Sequence, residues 1–137
     1  MKAQIYISGA LTNSSRKEFY EKIGQLLEEI GYQPYIPHLH TDPEKNPDAT
    51  PAEVYKVDMM QVEKSAIVIA YVGYPSLGVG AELEHANAKG IPLILLHEVG
   101  EKVSRLALGI PTVQKVIAYR CEEEALREIR NLLQPDR

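Results

Sequence analysis

The chain has too few cysteines to staple itself: Cys121 stands alone, so no disulfide can close within the chain. It also lacks an excess of positive charge. Fifteen Lys and Arg against nineteen Asp and Glu leave a formal charge of −4, which gives no broad positive field for a nucleic-acid backbone. No apolar run approaches membrane-spanning length, which argues against a membrane partner. The opening residues Met1 to Tyr6 read as a strand rather than the apolar core of a signal peptide, so the expected localisation is cytoplasmic. There is no internal repeat, and 137 residues leave no room for a second core, so residues 1–137 are expected to form one domain.

Two nucleotide-binding signatures are missing as well. Gly78-Val79-Gly80 would need a glycine at position 83 to complete a dinucleotide fingerprint, but Leu83 stands there, and the segment does not follow the first strand. No glycine-rich loop ends in Gly-Lys-Ser or Gly-Lys-Thr, so a P-loop is excluded as a sequence match.

What is present alternates. Residues 3–8 are β-prone and run into Gly9, after which Asn13 or Ser14 can cap a helix. Phe19, Ile23, Leu26, Leu27 and Ile30 recur at helical spacing up to a stop at Gly31. A short strand over 33–36 leads into a long loop, 37–51, with four prolines and no apolar period. A helix over about 52–65 follows, then the uninterrupted apolar run 66–71, suited to a strand buried on both faces. The glycine-rich stretch 73–80 leads to a helix over 81–89 ended by Gly90, and 92–96 is another buried strand. A short helix near 101–108, a strand over 113–119 and a helix over 121–133 complete the chain. The acidic run Glu122 to Glu124 opens that last helix, where it complements the helix dipole.

This order predicts an α/β fold: a single-domain, flavodoxin-like (Rossmann-like) five-stranded parallel sheet with helices on both faces. Its topological switch point lies between the first and third strands, so a ligand is expected to meet the loops after Ser8 and after Tyr71.

Three residues there carry chemistry. Glu82 is expected in the first turn of a helix at the carboxyl end of the sheet, where an acidic residue also complements the dipole without any catalytic role. Asp58 is mid-helix, flanked on its face by Val54 and Val62, so capping does not explain it. Gln61 and Ser65 share that face, so partial burial is expected, with a raised pKa suited to proton delivery; a solvated or Lys-paired aspartate is the alternative. Tyr6, near the end of the first strand, is either a core tyrosine or a hydrogen-bond donor to the nucleophile. A nucleophile and an acid on separate elements suit glycosidic cleavage through a covalent intermediate. His38 and His40, with Asp42 nearby, have the look of metal ligands, but an HxH in a proline-rich loop reads as solvated surface, and no metal is expected. His85, one turn from Glu82, is positioned to pair with it.

Ile5 to Gly9, Asp58, Pro75 to Leu83, Ala86 and Gly90-Ile91-Pro92 together resemble the nucleoside 2-deoxyribosyltransferases and, more closely, the 2'-deoxynucleoside 5'-phosphate N-hydrolases. The resemblance implies Glu82 as nucleophile, Asp58 as proton donor to the leaving base and Tyr6 as the group that orients Glu82. No cofactor is implied. It implies substrate contacts from Ser8, Gly9, Ala10, Gly78, Gly80 and Ser76, the last beside a 5'-phosphate, and Ser104 reaching the same phosphate across a homodimer interface in Val103 to Leu106. The transferases commonly carry an acid in the place of Ser76, which would repel a phosphate. The hydrolases have a serine and an arginine where this chain has Ala10 and Thr12, so one charge-assisted phosphate contact is missing. Backbone amides of residues 9–11 and 78–80, with Arg16 or Arg105, are the candidates to replace it.

Overall fold

The computed structural model describes residues 2–10, 16–41, 44 and 46–134. The elements are β1 (Gln4–Ser8), α1 (Lys17–Glu29), β2 (Gln33–Tyr35), α2 (Pro51–Glu63), β3 (Ile67–Tyr71), α3 (Leu77–Ala88), β4 (Leu93–Glu98), α4 (Arg105–Leu108), β5 (Val113–Tyr119) and α5 (Glu122–Leu133). All strand pairs are parallel, in the order β2-β1-β3-β4-β5. This is the expected flavodoxin-like α/β sheet, and its order reverses between β1 and β3.

Strand alternation sorts the core into two layers. Ile5, Ile7, Ile69, Ile94, Leu96 and Ile117 face α1 and α5, meeting Phe19, Ile23, Leu27 and Ile129. Tyr6, Val68, Ala70, Leu93 and Leu95 face the opposite way, onto Val62 of α2 and Val79, Leu83 and Ala86 of α3. Each large aliphatic side chain removed from water here contributes about 1.5–3 kcal/mol. The same alternation puts Tyr6 and Ser8 on the layer shared by α2 and α3, which carry Asp58 and Glu82.

Several boundaries differ from the sequence expectation. Asn13 and Ser14 lie outside the described residues, and α1 begins at Lys17 with Arg16 at its N-cap. Gly31 (φ 100°) and Gly90 (φ 74°) end their helices in the left-handed region, as expected. The loop after β2 contains a 3-10 turn over Pro37–Leu39. Thr50 and Glu53 form a reciprocal capping box that starts α2 at Pro51. The largest correction concerns α3, which starts at Leu77 rather than 81. Ser76 caps it by accepting from the Val79 amide at 3.2 Å, and burial of Val79 and Leu83 outweighs the poor helix propensity of Gly78 and Gly80.

Candidate active site

Because α3 starts early, Glu82 is its sixth residue and lies beyond the first turn, where the dipole acts most strongly. Its side chain points at the sheet instead of solvent and is 8% exposed. Tyr6 donates to Oε2 at 2.5 Å and Ser8 donates to Oε1 at 2.6 Å, so both carboxyl oxygens are held from one strand. Burial pushes Glu82 up to about 7; the hydroxyls of Ser8 and Tyr6 oppose that rise, and the charge of Asp58 adds to it. Burial, with Glu82 and Asp58 nearby, drives the Tyr6 hydroxyl far above its ordinary value, so it remains a donor.

Asp58 is also buried, and it accepts a hydrogen bond from the Thr41 hydroxyl at 3.2 Å. Burial raises its pKa, while Thr41 and the nearby His40 lower it. This matches the partial desolvation and raised pKa expected of Asp58 from the sequence, and no Lys pairs with it among the described residues. Tyr35 packs between these groups. Its ring stacks on Tyr6 (5.5 Å between centroids) and on His40 (4.6 Å, 9° between planes). Its hydroxyl is pushed up to about 12 by burial first, then by the charges of Asp58 and Glu82.

The other expected contacts divide. Ser76 and Ser104 cap α3 and α4 and line one cavity of about 800 Å³, together with Gly80, Leu77, Leu106 and Ile110. Neither Glu82 nor Asp58 lines it, so this apolar cavity is a neighbour of the carboxylate site and not its centre. Gly78 and Gly80 are exposed, and a Cβ at either would meet nothing closer than 3.9 Å. The chain's own packing does not require those glycines, and the open space above them is available to a ligand. Gly9 differs: a Cβ there would fall 2.1 Å from the Tyr20 ring, so only glycine fits. Ala10 is buried beside it, whereas Leu11 and Thr12 lie outside the described residues.

Two expectations fail for physical reasons. His85 pairs with Glu63 of α2 at 2.7 Å and not with Glu82, because Glu82 faces the sheet while His85 faces the neighbouring helix. His38 is buried, with Nε2 2.7 Å from Glu21, and so is not solvated surface; only His40 is exposed. Asp42 lies outside the described residues, and no group of three His, Cys, Asp or Glu residues that could hold a metal occurs among the described ones. Arg16 stacks over Tyr71 and pairs with Glu98 at 2.8 Å and Glu101 at 3.5 Å, so its charge is already offset, while Arg105 is exposed. No helix among the described residues is long and apolar enough to cross a membrane.

Sequence reasoning did not place Ser8 on Glu82, although its i, i+2 relation to Tyr6 puts both on one strand face. Thr41 and Tyr35 carried no local signal. Tyr6→Phe removes one of the two donors to Glu82. It should slow turnover about tenfold and lower stability by about 1–2 kcal/mol, read by initial rates and urea unfolding.

A five-stranded parallel sheet with a buried carboxylate held by a tyrosine and a serine at the switch point is a framework suited to an α/β enzyme that acts on small molecules. The chain belongs to the nucleoside 2-deoxyribosyltransferase family, whose model matches residues 5–132. A protein of Methanosarcina mazei, provisionally named 2'-deoxynucleoside 5'-phosphate N-hydrolase 1, is 37% identical over 133 residues, covering 93% of this chain and 81% of that protein. Among solved structures, a CMP N-glycosidase from Clostridium botulinum superposes with a TM-score of 0.74 at 24% identity, covering 94% of this chain and 98% of its own. A 2-deoxyribosyltransferase from Bacillus psychrosaccharolyticus superposes at 0.72 with 18% identity, covering 94% and 91%; at these identities the likeness is one of fold.

Proposed function

We propose that this enzyme hydrolyses the N-glycosidic bond of a (2'-deoxy)nucleoside 5'-monophosphate to free base and sugar 5-phosphate. The observation that carries the reading is Glu82: a buried carboxylate gripped on both oxygens by Tyr6 and Ser8, close enough to Asp58 for their charges to interact. Glu82 attacks the anomeric carbon, the C–N bond breaks toward the base, and Asp58 supplies the proton the base takes with it. Water then attacks the same carbon, losing a proton to Asp58, and Glu82 leaves as a carboxylate. None of these steps needs a metal or organic cofactor.

A neutral Ser76 supports a phosphorylated substrate, as does the name of the M. mazei relative. Phosphate binding then rests on the Ser76 and Ser104 hydroxyls and on the backbone amides that begin α3 and that follow β1 at Gly9 and Ala10. Ser76 and Ser104 of one chain border the same cavity, and Leu77 and Leu106, 96% and 87% exposed, give a second copy an apolar seat there; in the resulting homodimer the Ser104 that reaches the phosphate comes from the second subunit. Sedimentation should give twice the chain mass, and Leu106→Glu should halve it; a monomeric wild type removes the cross-subunit role of Ser104.

The alternative within the family is transfer of the same sugar to a second base. Incubation with a panel of nucleosides and nucleotides, with and without acceptor base, separates the two. Base release from nucleotides without exchange is expected; exchange on an unphosphorylated nucleoside overturns hydrolysis. Tight binding with no release from any substrate would mark a non-catalytic nucleotide-binding module.

A further inference from the structure

Thr41 follows the 3-10 turn after β2 and is buried against α2, far in sequence from the two carboxylates. Its Oγ1 lies 3.2 Å from the Pro37 carbonyl oxygen and 3.2 Å from Oδ1 of Asp58. A hydroxyl has one proton, so it cannot donate to both at once. The Pro37 carbonyl already accepts the Thr41 backbone N–H at 2.8 Å and is satisfied without the hydroxyl. Asp58 has no such second donor: among the described residues, only its Oδ1 has a hydrogen-bond partner.

We propose that Thr41 is a positioning residue for the general acid: its hydroxyl donates to Oδ1 of Asp58 and so confines the carboxyl proton to Oδ2, the oxygen left free to meet the leaving base. The assignment rests on the N-glycosidase reading above. When Asp58 is neutral, a proton on Oδ1 would require the Thr41 hydroxyl to turn onto the Pro37 carbonyl, which already accepts the His40 and Thr41 amides, so the proton sits on the other oxygen. After the proton has passed to the base, the same hydroxyl stabilises the carboxylate left behind. Asp58 therefore keeps one orientation through both protonation states, which is what a repeating acid and base requires. Burial raises the pKa of Asp58, Thr41 and His40 from the loop after β2 lower it, and its own charge in turn raises those of Glu82 from α3, Tyr6 from β1 and Tyr35 from β2.

Thr41→Val keeps the shape and deletes the hydroxyl; Thr41→Ser restores it. The first readout is Asp58 itself, followed by carboxyl carbon NMR in a Glu82→Gln background so that one carboxyl of the pair titrates. Thr41→Val should move that titration up by about one pH unit, the size of one hydrogen bond to a charged group, and Thr41→Ser should return it. The second readout is turnover with Glu82 intact: kcat should fall about tenfold in Thr41→Val with KM unchanged, and recover in Thr41→Ser. An unmoved Asp58 titration in a folded Thr41→Val protein overturns the proposal, as does a rate loss that Thr41→Ser does not repair. A titration that moves while no variant and no wild type releases base from any substrate overturns the N-glycosidase reading instead, leaving the Thr41–Asp58 contact in place.

Discussion

Glu82→Gln should reduce base release about ten-thousandfold or more, the scale on which removal of a nucleophile acts. The amide keeps the volume and can still accept from Tyr6, so the fold is expected to survive. What is lost is the electron pair that attacks the anomeric carbon. Rapid-mixing assays on the nucleotide substrate measure this directly, and a variant that retains wild-type release removes Glu82 from the mechanism. The same substitution has a second signature in stability. Glu82 ionises near 4.5 in an unfolded chain and near 7 in the fold, because burial disfavours its charge. A raised folded value means that its contribution is fully present below the unfolded value and is lost as pH rises through the folded one. Wild-type stability should thus fall by roughly 3 kcal/mol between about pH 4.5 and 7 from this group, and the fall should flatten in Glu82→Gln. Urea unfolding across that window measures both slopes.

Asp58→Asn should cost about a hundredfold to ten-thousandfold in kcat, the usual range for a general acid. The loss should shrink for a substrate whose leaving group departs without a proton, because only protonation has been removed. Equal losses on both kinds of substrate would assign Asp58 to substrate binding. The two carboxyl groups interact, so the limbs of the wild-type pH profile belong to the pair rather than to either residue. In the free protein burial holds Glu82 at about 7, and the proton shared near neutrality is drawn to it. The reacting arrangement has that proton on Asp58. The two donors to Glu82 and the positive charge developing at the anomeric carbon both favour it.

The fold was legible because its signals are local: the period of α1, the apolar run of β3 and the glycines that stop α1 and α3 each report on their own segment. The start of α3 was misplaced because propensity disfavours Gly78 and Gly80, while the cap from Ser76 and the burial of Val79 are decided by the sheet beneath. Glu82 was picked out from the sequence but placed in the wrong turn, and the correct turn is what directs it inward. His38 illustrates the reverse error. Its proline-rich setting suggested solvent, yet the turn over Pro37–Leu39 folds it against Glu21.

By itself the sequence determined the order of strands and helices and the switch point, since each depends on neighbours within a few positions, and it nominated Glu82, Asp58 and Tyr6 through a motif read in place. Only the tertiary structure decided what surrounds that pair. Strand β1 turns Tyr6 and Ser8 onto the face that α3 covers, the loop after β2 brings Thr41 to Asp58, and α2 takes His85 away from Glu82. Those contacts join residues as many as 76 positions apart, and no local pattern encodes a distance that packing alone creates.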